Sequence, residues 1–307
     1  MRKASAPIGA LLVAGLALLP LGGCARSGAR IPDLRFPNAP VVLISVDTLR
    51  SDRLPMYGYG KVATPALDAL RKDAILFERA YSHIPLTLPS HTSLFTGLEP
   101  GMHGVLDNSG YRLPAGDPTL AELLKKAGYA TGGAVSAAVL GGRSGIGRGF
   151  DFWEDHVEAS GPVSMLDFVE RPGGETAGLL LEWIRANAGR PFFAFLHTYE
   201  PHAPHVAPEP FRSRYADPYD GEVAASDAIV GAFLDELRKS GIYDRAVVLF
   251  LSDHGEGLGD HGEQQHGIFL YRESIQVPLL LKLPGQALAG TTVSAPVQLT
   301  DVFPTIG

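Results

Sequence analysis

Three apolar runs in this chain end in residues that hold cations or move protons. Val41-Val42-Leu43-Ile44-Ser45-Val46 ends at Asp47. Pro191-Phe192-Phe193-Ala194-Phe195-Leu196 leads into His197-Thr198-Tyr199-Glu200-Pro201-His202. Ala246-Val247-Val248-Leu249-Phe250-Leu251 leads into Ser252-Asp253-His254-Gly255. Asp47, Asp253 and His254 together offer two carboxylates and an imidazole, a donor set for one divalent metal ion. Calcium, magnesium, manganese and zinc all accept such donors, and the imidazole tilts the choice toward zinc or a transition metal. Gly255, Gly257, Gly259 and Gly262 let the chain after His254 bend closely around an ion. Each Asp taken singly reads as a helix cap or turn residue, so the metal reading rests on all three meeting.

A hydroxyl joins this set. His83-Ile84-Pro85-Leu86-Thr87-Leu88-Pro89-Ser90-His91-Thr92-Ser93-Leu94-Phe95-Thr96-Gly97 reads as a loop entering a short helix. Pro89 fits the first turn and Gly97 the end. Thr87 then stands just before a helix start, where free N–H groups favour an anion. A hydroxyl beside a cation gives up its proton more easily and becomes a usable nucleophile. The alternative is that Thr87 or Ser90 only caps the helix. His91 lies one turn beyond Thr87, within reach of it. The chain has 10 His, six of them from His197 to His266, and such a cluster beside strand ends points to a site. His197 and His205 read either as structural residues or as ligands of a second metal. His103 and His261 read as turn residues, and Arg50 either pairs with a carboxylate or contacts substrate.

These residues need a frame. Apolar, largely β-branched or aromatic runs suit strands buried on both faces of a parallel sheet. Thr64-Pro65 predicts a helix start, and Asp117-Pro118 predicts another that Gly128 closes. Residues 222–239 carry Val230, Phe233, Leu234 and Leu237 at helical spacing. Strands alternating with helices predict an α/β fold: a doubly wound, mostly parallel sheet flanked by helices. Ligands in such folds collect beyond the carboxyl ends of the strands.

The motifs resemble the sulfatase family within the alkaline phosphatase superfamily. The family pattern Cys/Ser-x-Pro-Ser-Arg, followed by Thr-Gly, is similar to Thr87-Leu88-Pro89-Ser90-His91 with Thr96-Gly97. Its Ser-Asp-His-Gly-Glu element resembles Ser252-Asp253-His254-Gly255-Glu256, and its Pro-His-x-Pro element resembles Pro201-His202-Ala203-Pro204. Its first-strand acid matches Asp47. The resemblance runs from about residue 41 to the end. It implies an alkaline phosphatase-like fold and a metal-dependent hydrolase of phosphate, phosphonate or sulfate esters. It further implies Asp47, Asp253 and His254 as metal ligands and Thr87, His202, His266 and His91 as catalytic residues. His202 is implied as general acid for the leaving group or donor to the substrate oxygens. His266 is implied as a stabiliser of charge on the transferred group, or as that acid instead.

Departures from the family pattern shift the expected chemistry. Sulfatases oxidise the Cys or Ser to formylglycine, which Thr87 cannot become, so the chain is read as a Thr-nucleophile variant. His91 replaces an Arg, Thr48 replaces a second Asp, and His266 stands in place of a Lys. Gly132-Gly133-Ala134-Val135-Ser136 lacks a Lys-x-His. These changes favour phosphate or phosphonate esters over sulfate esters. Two alternatives are a transferase passing the group to a lipid or glycan, and a decayed metal-binding protein. The expected substrate is a small-molecule, lipid or glycan ester.

Composition bounds the rest. The 307 residues are 45% hydrophobic and 19% charged, enough for a sizeable core. A formal net charge of −7 argues against an electrostatic nucleic-acid binder. The single Cys excludes a disulfide framework. That Cys follows Arg2, Lys3 and the apolar residues 8–21, in Leu21-Gly22-Gly23-Cys24, which resembles a bacterial lipobox. Residues 1–24 are therefore read as a lipoprotein signal peptide, residues 25–40 as a linker and residues 41–307 as the catalytic domain. Lipid on Cys24 would anchor an exported protein to a membrane, on its periplasmic or cell-surface side. The end, Thr300-Asp301-Val302-Phe303-Pro304-Thr305-Ile306-Gly307, resembles an element after which relatives continue, so the C-terminal subdomain is expected to be short or missing.

Overall fold

The computed structural model describes residues 34–157 and 170–307, so the leader and Cys24 lie outside the described residues. Among the described residues the strands are β1 (Val41–Val46), β2 (Ile75–Phe77), β3 (Ala80–Tyr81), β4 (Ala130–Val135), β5 (Phe152–Glu154), β6 (Phe192–Thr198), β7 (Val247–Ser252), β8 (Gln276–Val277), β9 (Leu279–Lys282), β10 (Thr292–Val293) and β11 (Val297–Gln298). The helices are α1 (Pro65–Asp73), α2 (Thr87–Thr96), α3 (Pro100–His103), α4 (Leu120–Lys126), α5 (Gly173–Asn187), α6 (Phe211–Arg214), α7 (Pro218–Lys239), α8 (Ile242–Arg245), α9 (Arg272–Ile275) and α10 (Val302–Ile306). None of these helices is long and apolar enough to cross a membrane.

The large sheet runs β10-β2-β9-β7-β1-β6-β4-β5. From β7 to β5 it is parallel, while β9 pairs antiparallel with both β7 and β2. A small sheet, β11-β3-β8, lies apart from it in pairing. The mostly parallel, doubly wound α/β expectation is therefore the observed architecture.

Alternation along the central strands assigns one set of side chains to each face. Val42, Ile44 and Val46, with Ala194, Leu196, Val248 and Phe250, join Leu67 and Leu70 of α1, Leu180 and Ile184 of α5, and Val230, Phe233 and Leu234 of α7. Val41 and Leu43, with Phe193, Phe195, Leu249 and Leu251, join Leu88, Leu94 and Phe95 of α2 and Leu120 and Leu124 of α4. Burial on both faces is why these strands read as unbroken apolar runs. By the same alternation Ser45 and His197 belong to the face that α2 covers.

Three helix starts differ from the sequence expectation. At α1, Thr64 makes no side-chain cap; the Asp227 carboxylate of α7 accepts from the N–H groups of Ala66 (3.1 Å) and Leu67 (2.8 Å) instead. At α4 the cap is Thr119 rather than Asp117, because Thr119 and Glu122 form a reciprocal capping box. At α7 the Asp217 cap and Pro218 begin the helix four residues before position 222.

Candidate active site

Strand register assembles the site. Val46 lies opposite both Thr198 and Ser252, so Asp47 and Asp253 leave neighbouring strands at one height. His197 lies one row lower, paired with Ser45. After Asp47 the chain turns through Thr48, whose φ is 54°. The Tyr219 hydroxyl holds the Thr48 carbonyl at 2.7 Å, and the Leu49 N–H donates to the Ser252 hydroxyl at 2.9 Å. After β7 the loop packs backbone on backbone. A Cβ on Gly255 would lie 1.8 Å from the Glu273 carbonyl oxygen, so only glycine fits there.

Asp47, Asp253 and His254 are fully buried, and their ligand atoms lie within 4.8 Å of one another. His254 Nε2 is 3.7 Å from Asp47 Oδ1 and 3.4 Å from Asp253 Oδ2. His254 Nδ1 faces the Gly255 carbonyl at 2.9 Å. That oxygen can only accept, so Nδ1 carries the hydrogen and Nε2 turns a lone pair toward the carboxylates. Burial lowers the His254 pKa well below its usual value, which keeps the ring neutral. Asp253 Oδ1 accepts from the N–H groups of Thr48 and His254, but Asp253 Oδ2 and both Asp47 oxygens have no hydrogen-bond partner.

The two carboxyls are driven apart electrostatically. At Asp47 burial works to raise the pKa, yet its contact with His197 and the nearby His202 and His254 leave it well below the usual range. Asp253 is pushed well above that range, by burial first and then by the negative charge of Asp47. The unpaired carboxylate oxygens of Asp47 and Asp253 face the imidazole lone pair of His254, and a divalent cation fits all of them.

Thr87 is the first residue of α2, one position later than its expected place before the helix. It is buried, and Oγ1 lies 3.4 Å from His254 Nε2. The Ser90 hydroxyl donates to the Asp253 carbonyl at 2.7 Å, tying the first turn of α2 to the end of β7.

The expected histidines divide into two groups. His266 is slightly exposed, its ring 4.5 Å from that of His254 and 5.1 Å from that of His202. Its Nδ1 meets Oε1 of the fully buried Glu256 at 3.0 Å. Burial works to lower the His266 pKa, but the Glu256 carboxylate outweighs it and the value is raised. His202 stacks near Tyr199, with Nδ1 2.6 Å from the Ala203 carbonyl. His91 is fully buried against the main chain of Thr87. Its Nδ1 reaches the Thr87 main-chain oxygen at 2.8 Å and its Nε2 the Ser45 hydroxyl at 2.9 Å. Burial, reinforced by His197, brings the His91 pKa down to about 3. His205 turns from the cluster, onto the Pro201 carbonyl and the Tyr219 ring. Arg50 binds Asp52, Asp260 and the carbonyls of Glu256 and Gly257, so it ties two loops together.

The family model described as Sulfatase matches residues 39–307. The chain belongs to the sulfatase family. This sulfatase-family chain is 29% identical over 316 residues to an ulvan-active sulfatase of Formosa agariphila, covering 88% of its own length and 61% of that relative. It is 25% identical over 357 residues to an arylsulfatase of Clostridium perfringens, covering 87% and 73%. It shares its fold with the phosphonate monoester hydrolase of Agrobacterium radiobacter, with a TM-score of 0.75, 23% identity, and 88% and 73% of the two chains covered.

Sequence reasoning on this sulfatase-family chain missed one residue and did not fix the role of a second. Glu256 lies inside the Ser-Asp-His-Gly-Glu element, but a Glu among glycines reads as solvated unless its partner ten residues on is known. His197 was left between structural and ligand readings. Its contact with Asp47 Oδ2 (Nε2 at 3.4 Å) follows from the strand register, and the two runs it joins lie far apart in sequence.

Proposed function

We propose that this chain hydrolyses phosphate, phosphonate or sulfate monoesters with Thr87 as nucleophile, and that phosphorus esters suit it best. The observation that carries the reading is the Thr87 hydroxyl 3.4 Å from His254 Nε2, beside the unpartnered carboxylate oxygens of Asp47 and Asp253. Those three residues would hold a divalent cation, which when bound supplies the charge that acidifies the hydroxyl and neutralises ester oxygens. Threonine cannot form the aldehyde that sulfate-cleaving relatives require, and its alkoxide is suited to direct attack on phosphorus.

The side chains then divide the work. Thr87 releases its hydroxyl proton to solvent, and its Oγ1 then bonds to the phosphorus as the bond to the leaving oxygen breaks. His266, charged and oriented by Glu256, gives its Nε2 proton to that oxygen. His202, beside it, donates to the oxygens of the transferred group. Neutral His266 then takes a proton from the water that releases the group from Thr87.

The test is turnover of chromogenic phosphate, phosphodiester, phosphonate and sulfate esters with calcium, magnesium, manganese or zinc added. Thr87→Ala is expected to lose roughly 10³-fold or more in kcat while keeping its cation. Thr87→Ser should retain measurable activity. Undiminished turnover by Thr87→Ala would remove the nucleophile from the reading.

Anchoring is part of the same proposal. Leu21-Gly22-Gly23-Cys24 supports acylation at Cys24, which would hold the enzyme at a membrane face. Cys24→Ser should move the protein from the membrane fraction to the soluble one.

A further inference from the structure

Large apolar side chains in solvent are not scattered over this chain. Among the described residues, most of them stand on three loops that carry or touch the site. Leu106 lies two residues from Asn108, whose side-chain oxygen accepts from the Leu88 N–H at 2.8 Å, beside Thr87. Val206 follows His202 by four residues. The third loop runs straight on from His266: Ile268 is 78% exposed, Phe269 44%, Leu270 62% and Tyr271 41%.

The backbone holds these four side chains outward. The Glu263 carboxylate, itself buried, accepts from the N–H groups of Ile268 (2.9 Å) and Phe269 (3.3 Å). The Tyr271 ring stacks on His261 with centroids 3.9 Å apart. A Cβ on Gly267 would come within 3.1 Å of Leu86, so the run starts against the residue before Thr87. Fixed in this way, the apolar groups stay in water, which is unfavourable for a surface with no partner. Side chains exposed to this degree stand out from the surface and do not wall a pocket. No charged residue interrupts Gly267-Ile268-Phe269-Leu270-Tyr271. A broad apolar medium suits them, with Ile268, Phe269 and Leu270 among acyl chains and Tyr271 at the polar edge.

The run also lies where the alcohol part of an ester must go. The His266 side chain is 10% exposed, whereas those of Asp47, Asp253 and His254 are exposed by 1% or less, so solvent reaches the site beside His266. In the proposed reaction His266 protonates the leaving oxygen, which puts the leaving alcohol on that side.

We propose that this run seats the open side of the site on a lipid bilayer, and that the ester taken is a phosphate monoester whose alcohol is a membrane lipid. This rests on the reading of the site as an ester hydrolase and of Cys24 as acylated. Acylation decides for a bilayer over a second copy of the chain, because an anchored domain always has a membrane beside it. Fully extended, the chain from Cys24 to Val41 spans roughly 60 Å, against about 20 Å for the six residues of β1. That length lets the carboxyl end of β1 meet the membrane that holds Cys24, and tethering makes a small apolar contact sufficient.

The experiment uses the full chain on phosphatidylcholine vesicles. The sequence holds two Trp, Trp153 and Trp183, so Phe269→Trp adds a third within the run. The added emission should be quenched about twofold or more by vesicles with brominated acyl chains, while wild-type emission changes little. Turnover is then measured on long-chain phosphatidic acid in the vesicles and on a short-chain, soluble phosphatidic acid. Ile268→Ser combined with Leu270→Ser should lower vesicle turnover about tenfold or more and leave soluble turnover within about twofold. Emission of Phe269→Trp that ignores brominated lipid overturns the docking surface. Undiminished vesicle turnover, or equal loss on both esters, overturns it too. A lipid-free dimer that the paired substitution splits gives the run to a second copy and overturns the bilayer. Quenching with no turnover of any phosphorus ester keeps the surface and removes the hydrolase reading.

Discussion

At the scale of single residues, Asp47 and Asp253 set a conflict that the site exploits. Two carboxyls on adjacent strand ends, both fully buried, destabilise the chain whenever no cation separates them. Asp253, whose carboxyl is the one pushed up, carries the cost, so Asp253→Asn is expected to raise the thermal midpoint of chelator-treated protein and to lower it in saturating metal. Thermal unfolding in both conditions checks it, and the same sign in both would refute the argument. Glu256 governs a proton in the same way. Its carboxylate holds the His266 pKa up, and in the proposed reaction His266 is a general acid, which works only below its own pKa. Glu256→Gln should lower that value and shift the alkaline limb of the kcat/KM profile to lower pH. A limb that stays in place would mean that Glu256 only packs. Asp47, Thr87, Asp253 and His254 were legible in the sequence because each follows or opens a recognisable local pattern. Glu256 was not, because what makes it matter is full burial and a partner supplied by a later turn of the loop.

At the scale of elements, the loop after β7 is the least forgiving piece. Gly255 and Gly257 press against carbonyl oxygens of residues 273, 263 and 265. Gly255→Ala must displace the Glu273 carbonyl, and overpacking of this kind costs about 1–3 kcal/mol. The expected outcome is a lower urea midpoint together with weaker cation binding, since His254 and Glu256 flank the glycine. Unchanged stability would mean that the backbone there yields freely. Helix existence was legible from spacing, but helix starts were not. The start of α1 is capped by Asp227, more than 150 residues away, and no local signal announces that. At α4 the Asp117-Pro118 signal was outcompeted two residues on, where Thr119 and Glu122 satisfy each other's N–H groups.

At the scale of the whole molecule, the α/β alternation foretold the parallel sheet, its two flanking layers and the strand ends that carry the site. The antiparallel strand β9 and the very short strands β2, β8, β10 and β11 escaped it, because two to four residues give no period to read. Cation binding should be felt globally, since the proposed ligands follow β1 and β7, which are neighbours in the centre of the sheet. Saturating metal at about 1,000 times its Kd adds about 4.1 kcal/mol of stability. Chelation should therefore lower the thermal midpoint by several degrees, and re-addition should restore it. A midpoint indifferent to chelator would argue that no cation is held at all.

The shared row of Val46, Thr198 and Ser252 acts as a ruler. Each strand residue advances the chain by about 3.3 Å and reverses the direction of the next side chain. Deleting one residue anywhere in β1 would retract Asp47 by that length and swing it to the opposite face. Connections at the far end of the sheet obey no such count, so natural variation in length is expected to gather there and to spare the three strands.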